Sequence, residues 1–273
     1  MPSQLIKDNI RTDKLQHIWC AGCSNGIAMK SIAQAIENLG YDKKKVCIVS
    51  GIGCSSRTSG YMNYNTLHTT HGRALAFATG LKLANPDLKV IVVTGDGDCS
   101  AIGGNHLIHA ARRNIDITTI VFNNNIYGMT GGQYSPTTPT TDYGTTAPYG
   151  NMEKPFDICT LAAAAGATYV ARGTTYHVNP LVKLFEKAML KNGFSLVDVM
   201  STCPTYYGRK NKKGSPAQML KNFKDNTVDI KRVEKLSEDQ LKNKTITGEF
   251  KNTDEPEFTN MYMKLIEMCK KEG

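Results

Sequence analysis

Five short apolar, β-branched runs mark the first two hundred residues of the chain, at 46–50, 90–94, 118–122, 167–171 and 195–200. Each is apolar almost throughout instead of alternating, as expected for strands buried on both faces of a parallel sheet. Between them, residues 27–39, 73–84, 105–113, 156–165 and 178–191 carry helical spacing, and several of these segments are followed by Gly or Asn stop signals. Strand alternating with helix predicts an α/β fold, a mostly parallel sheet with helices on both faces. Residues 124–155, rich in Gly, Thr, Pro and Tyr, form a connection too long to be filler, and such loops carry function. From about Arg209 the apolar pattern weakens and Lys, Asn, Asp and Glu dominate. The expected organisation is a domain over residues 1–208 and a tail over 209–273, partly extended or in contact with another subunit.

Composition narrows the class. Hydrophobic residues make up 40% and charged residues 21% of the 273 positions, which supports a buried core and excludes a disordered or collagen-like chain. The polar N-terminus lacks a signal peptide's apolar centre, and no segment approaches the roughly 18 apolar residues of a membrane span. A cytoplasmic location is therefore expected. In a reducing compartment, eight cysteines with a Cys20-x-x-Cys23 pair point to metal or redox chemistry more than to disulfides. The net charge of +9 is shared between residues 1–207 and 208–273, and suits anionic ligands or acidic protein partners.

The strongest local signal is Val93-Thr-Gly95-Asp96-Gly97-Asp98, followed 28 residues after Asp96 by Asn124 in Asn123-Asn124-Asn125-Ile126-Tyr127. A carboxylate between glycines at a strand's carboxyl end places an oxygen ligand where the backbone can approach a phosphate. Asp96, the Asn124 amide oxygen and the Ile126 carbonyl are hard donors that, with diphosphate oxygens and water, complete the shell of about six oxygens preferred by Mg²⁺. Cys20 and Cys23 form a ligand pair that needs two more thiolates. Cys54 and Cys203 follow strands, on the sheet edge shared with Asp96 and Asn124. That favours them over Cys47 in a strand, Cys159 in an apolar helix and Cys269 in the tail; Cys99, directly after the metal motif, is the least decisive exclusion. A Cys₄ zinc site and an iron–sulfur cluster both fit four thiolates. Gly22-Cys-Ser-Asn-Gly26 fits a nucleophile elbow formally, but no strand feeds it. Neither a complete dinucleotide fingerprint nor a phosphate-binding loop motif occurs.

The Gly-Asp-Gly and Asn-Asn pair resembles the thiamine diphosphate motif. Together with Trp19-Cys-Ala-Gly-Cys23, Ser50-Gly-Ile-Gly-Cys-Ser-Ser-Arg57, His68-Thr-Thr-His71-Gly-Arg73 and Tyr127-Gly-Met-Thr-Gly-Gly-Gln133-Tyr-Ser-Pro-Thr-Thr-Pro139, it resembles the β subunit of 2-oxoacid:ferredoxin oxidoreductases over about residues 15–208. The last loop looks most like the 2-oxoglutarate branch; some archaeal members of broader specificity carry Lys at the position of Gly131. The resemblance implies a domain of the diphosphate-binding type with thiamine diphosphate, Mg²⁺ and a [4Fe–4S] cluster on Cys20, Cys23, Cys54 and Cys203. Zinc in that place could not accept electrons from the cofactor.

It further implies that Ile52, Gly53, Cys54, Ser55, Gly95, Gly97, Asp98, Gly128 and Met129 surround the cofactor. His71 would bond the diphosphate or the substrate, Thr130 would lie at the reacting end, and Arg57, with Arg73 as a weaker candidate, would pair with carboxylates of a 2-oxodicarboxylic acid. The implied reaction converts 2-oxoglutarate, CoA and oxidised ferredoxin into succinyl-CoA, CO₂ and reduced ferredoxin. There is room for one α/β domain only, so an α subunit must supply the pyrimidine side and its glutamate. Ferredoxin or flavodoxin would accept electrons, and further clusters would belong to a small additional subunit or to the carrier. The alternatives are the same chemistry on pyruvate or branched-chain 2-oxoacids and a non-oxidative thiamine-dependent decarboxylase. A zinc-stabilised nucleic-acid module ranks far behind, because no nucleic-acid motif is present.

Overall fold

The computed structural model of the chain describes residues 3–272. Its strands are β1 (Val46–Ser50), β2 (Asn65–His68), β3 (Lys89–Gly95), β4 (Thr118–Asn123), β5 (Ile126–Tyr127), β6 (Gln133–Tyr134), β7 (Tyr169–Thr174), β8 (Ser195–Met200), β9 (Thr227–Asp229) and β10 (Thr245–Asn252). Eight of them form one sheet in the order β2-β1-β3-β4-β8-β7-β10-β9. All neighbours run parallel except β7 and β10. β5 and β6 form a separate antiparallel hairpin.

The apolar runs behave as their lack of alternation requires. Ile48, Ile91, Val93, Ile120, Phe122, Val197 and Val199 face one core, packed under the helices Asn25–Asn38 and Val178–Leu190. Their sequence neighbours Cys47, Val49, Val90, Val92, Val121 and Leu196 face a second core under Ala74–Ala84, Gly104–Arg112 and Ile158–Ala164. Helices thus cover both faces, and among the described residues no helix is long and apolar enough to cross a membrane.

The segment expected as a strand at 167–171 begins later, at Tyr169. Gly166 turns with φ +108°, and the Ala167 N–H still donates to the carbonyl of Ala162 in the preceding helix. β2 was invisible to the pattern because an edge strand is only half-buried.

Residues beyond Arg209, read from sequence as a tail, carry the helix Pro216–Asn226, β9, β10 and the helix Phe258–Glu272. β10 pairs with β7 across a bulge between Glu249 and Lys251, so the sheet continues past its parallel part. Its mixed Thr245-Ile-Thr-Gly-Glu-Phe-Lys-Asn252 sequence is half-buried along nearly its whole length, which explains the weak apolar signal. Buried Glu257 then accepts from the backbone N–H groups of Asp116, Thr259 and Asn260 at 3.1, 2.6 and 2.7 Å, which locks the last helix to the sheet.

One ion network joins layers. Arg172 on β7 donates Nε to the fully buried Asp198 on β8 at 2.8 Å, and its terminal nitrogen to Asp157 at 2.6 Å. Asp157 also caps the helix Ile158–Ala164. Replacing Arg172 with Met strands the Asp198 carboxylate and should destabilise the fold by about 3–5 kcal/mol. A denaturant midpoint unchanged in R172M would contradict this; in the double variant R172M/D198L most of the loss should return.

Candidate functional site

The chain runs outward from β1 to β2, then returns to the other side of β1 for β3, so the order reverses between β1 and β3. In open α/β sheets ligands bind in the crevice outside the strand carboxyl ends at such a switch point. Here a cavity opens, lined by Ile52, Gly53, Cys54 and Ser55 after β1, by His71, and by Gly95, Asp96, Gly97 and Asp98 at the end of β3. Phe122, Asn124, Ile126, Tyr127, Gly128, Met129 and Thr130 complete it.

Asp98 organises this cavity. It is 3% exposed, and its Oδ1 faces His71 Nδ1 at 2.5 Å and accepts the N–H groups of Gly72 at 2.6 Å and Ile52 at 3.3 Å. Oδ2 accepts from Thr94 Oγ1 at 2.7 Å. A Cβ on Gly51 would stand 2.3 Å from Oδ2, so only glycine lets the turn approach the carboxylate. Asp98 lines the cavity, but both its oxygens are already engaged. With Nδ1 bonded to the carboxylate, His71 is left with Nε2 for a ligand.

Asp96 is equally buried, and its Oδ2 accepts from Ser135 Oγ at 2.5 Å and Thr137 Oγ1 at 2.6 Å. Burial pushes its carboxyl up to about 6, against the pull of those two hydroxyls. Thr137 Oγ1 also lies 3.0 Å from Asn123 Oδ1, and Thr138 Oγ1 donates to the Asn125 carbonyl at 2.6 Å. The Ser135-Pro-Thr-Thr138 stretch therefore joins Asp96 at the end of β3 to Asn123 and Asn125 at the end of β4. Its hydroxyls had no role in the sequence reading, because a contact across 39 positions leaves no local pattern.

Cys54 and Cys203, after β1 and β8, come together with Cys20 and Cys23 of the loop before the helix Asn25–Asn38, beside the cavity. A Cβ on Gly128 would lie 3.5 Å from Cys203 Sγ and 3.6 Å from Cys54 Sγ, which makes these sulfurs close neighbours. Trp19 Nε1 donates to the Cys54 carbonyl at 2.7 Å, and Thr202 N–H donates to Ser24 Oγ at 2.7 Å, tying the Cys20–Cys23 loop to both others. Burial pushes the Cys23 thiol up to about 12 and the Cys54 thiol to about 11, and the neighbouring cysteines add to each. Asn25, Ser56, Thr58 and Ser201, each within four positions of one of these cysteines, hold buried side-chain polar atoms with no partner. Such orphans call for a missing polar group nearby. Among the described residues no three His, Cys, Asp or Glu side chains converge on a single metal ion. Cys47, Cys99 and Cys159 are buried in the cores, and Cys269 is exposed on the last helix.

Two arginines stand elsewhere. Arg57 is exposed and off the cavity wall, although its charge favours the Cys54 thiolate. Arg73 donates to the Ile102 carbonyl at 2.9 Å. Thr130 Oγ1 donates to Gln133 Oε1 at 2.6 Å at the rim.

Fold and cavity together define the diphosphate-holding domain of a thiamine-dependent enzyme. The model of the thiamine pyrophosphate enzyme C-terminal TPP-binding domain matches residues 51–199. The chain is 54% identical to a 2-oxoglutarate synthase subunit KorB of Methanocaldococcus jannaschii, over 96% of this chain and 97% of that protein. It is 41% identical to a 2-oxoacid:ferredoxin oxidoreductase subunit beta of Saccharolobus solfataricus, over 82% and 75%. A solved structure of 2-oxoglutarate:ferredoxin oxidoreductase from Magnetococcus marinus, with 2-oxoglutarate, coenzyme A and succinyl-CoA bound, superposes with TM-score 0.87 at 33% identity, covering 99% of this chain and 92% of that one. The chain belongs to the β subunits of the 2-oxoacid:ferredoxin oxidoreductase family.

Asp98→Asn removes the charge that holds His71 and two backbone N–H groups. Titration of the assembled enzyme should show thiamine diphosphate binding weakened roughly tenfold, the value of one lost charged hydrogen bond. Unchanged affinity would mean that Asp98 does not shape the site.

Proposed function

We propose that this chain, with an α subunit, catalyses the CoA-dependent oxidative decarboxylation of 2-oxoglutarate to succinyl-CoA and CO₂. Electrons would leave through a [4Fe–4S] cluster to ferredoxin or flavodoxin. The observation that carries the reading is Cys54, which lines the diphosphate-type cavity and sits in the four-cysteine group. One turn thereby joins the carbon chemistry to the electron exit.

Thiamine diphosphate, when bound, would supply a nucleophilic carbon for the decarboxylation of the 2-oxoacid. Main-chain groups of the turn at Ile52, Gly53 and Ser55 and of Gly95, Gly97, Gly128 and Met129 would hold it. Asp96, the Asn124 amide and the Ile126 carbonyl would hold Mg²⁺, and the donor set fits: all are hard oxygens, and Asp96 Oδ2 is already oriented by two hydroxyls. Cys20, Cys23, Cys54 and Cys203 would hold the cluster. A cluster in that place could take electrons one at a time, which zinc could not.

His71 Nε2 is placed to hold a proton or hydrogen bond at the diphosphate or the substrate, and the Thr130 hydroxyl stands at the rim. Arg57, exposed two positions beyond the lining residue Ser55, is the guanidinium available for the distal carboxylate. Among the described residues the carboxylates on the wall are Asp96 and Asp98, and the glutamate that serves the pyrimidine side would come from the α subunit. The exposed Met261, Tyr262, Leu265 and Met268 of the last helix offer a face for subunit contact. Eight unpaired cysteines fit a cytoplasmic location.

The test is anaerobic purification with the α subunit and a visible spectrum before and after 2-oxoglutarate with CoA. A brown absorption that bleaches on addition is expected. Colourless, zinc-containing protein would refute the cluster, and bleaching only with pyruvate or a branched-chain 2-oxoacid would move the substrate.

The pH dependence has a definite sign. Below about 6 the Asp96 carboxyl is protonated and neutral in the metal-free protein, so Mg²⁺ competes with a proton and cofactor affinity falls with falling pH. Thr137→Ala removes a donor that favours the anion, and should shift this loss to higher pH. An affinity flat from pH 5 to pH 8 would exclude Asp96 as the ligand.

A further inference from the structure

We propose that the basic turn at residues 209–213 is the docking surface for a small electron-carrier protein with an acidic face, placed to collect electrons from the four-cysteine centre. The proposal rests on the cluster reading above. Between Asp198 and Asp225 the chain carries six basic residues and no acidic one. Arg209, Lys210 and Lys212 are exposed and make no ion pair among the described residues; Lys213 alone is paired, with Asp142 at 3.3 Å. In the adjoining loop, residues 124–155, the acidic side chains are Asp142, already paired with Lys213, and Glu153.

Position links this charge to the cysteines. The Gly208 N–H donates to the Cys203 carbonyl at 2.8 Å, which pins the turn to one ligand loop. On its other side, the helix Pro216–Asn226 starts against the Cys20–Cys23 loop: a Cβ on Gly22 would fall 2.4 Å from Pro216 Cβ. Cys20 is exposed there. Tyr206, 38% exposed, lies against Gly132, where an added Cβ would meet its ring at 3.0 Å. Tyr206, Arg209 and Lys210 border an open cleft with Gly132, Thr145 and Thr205.

Arg209 and Lys210 border this cleft, whereas Lys212 and Lys213 do not line it. Unpaired and exposed, Arg209, Lys210 and Lys212 act at long range, which raises encounter rates and orients an oppositely charged protein. A carrier that must arrive, accept an electron and leave is served by such weak, salt-sensitive contact.

The test uses the assembled enzyme carrying Lys210→Glu with Lys212→Glu, beside a control carrying Lys270→Glu with Lys271→Glu on the exposed end of the last helix. Reduction of an acidic ferredoxin and of a viologen dye is followed at rising ionic strength. At low salt, kcat/KM for ferredoxin should fall by roughly tenfold in K210E/K212E, the low end of electrostatic steering. The gap should close with salt, dye reduction should stay at the wild-type rate, and the control should match wild type. Unchanged ferredoxin kinetics, an equal loss in the control, or failure of K210E/K212E to assemble with the α subunit would overturn the proposal. Wild-type enzyme that reduces neither acceptor with 2-oxoglutarate would instead fail the functional reading. Direct binding of ferredoxin at low salt then decides: loss in K210E/K212E supports the docking surface, and equal binding refutes it.

Discussion

A buried carboxylate, Asp98, is the constraint on which the site depends. Taking a charge out of water is costly unless hydrogen bonds replace the lost solvent. Asp98 finds its replacements in the Gly72 and Ile52 N–H groups, the Thr94 hydroxyl and His71. These partners come from three separate segments, so satisfying one ion sets the relative positions of the turn after β1, the loop before the helix Ala74–Ala84 and the end of β3. The conformation of Gly51, the tautomer of His71 and the shape of the cavity floor all follow.

Around that point two chemical environments share a wall. On one side, Asp96 is held by Ser135 and Thr137, a hard-oxygen corner whose carboxyl is kept from full acidity by burial. On the other, Cys54 and Cys203 approach the space over Gly128, in a pocket where burial disfavours bare thiolates. Trp19, by bonding the Cys54 carbonyl, ties the Cys20–Cys23 loop to the turn that borders the diphosphate-type cavity. Asp96 and Cys54 thus line the same cavity. Both oxygens of Asp98 are committed to internal bonds, whereas at Asp96 the two hydroxyls engage Oδ2.

The segment after β8 has a different role from the parallel core. β10 runs antiparallel to β7 and covers what would be an open edge, a liability in any sheet. Before reaching that edge, the chain passes over the cysteine loops, where Gly208 and Pro216 anchor it. Its basic residues Arg209, Lys210, Lys212 and Lys213 therefore lie between two segments that contact the cysteine loops.

The local sequence determined the parallel core and the chemistry of its loops. Uniformly apolar runs such as Val46–Ser50 and Ser195–Met200 can only be satisfied by burial on both faces, and the donor types in Gly95-Asp96-Gly97 and Asn124 are independent of folding. Cys54 and Cys203 could be selected because a strand's carboxyl end is a place in any α/β sheet. Other features were decided only by tertiary structure. The role of Asp98, the hydroxyl clamp from Ser135 and Thr137, the withdrawal of Arg73 to a backbone carbonyl and the pairing of β10 with β7 all depend on partners 26 to 83 positions away. Periodicity and spacing carry information over a turn or a strand. A hydrogen bond between segments is specified by the whole packing of the sheet, and it leaves no trace in either segment alone.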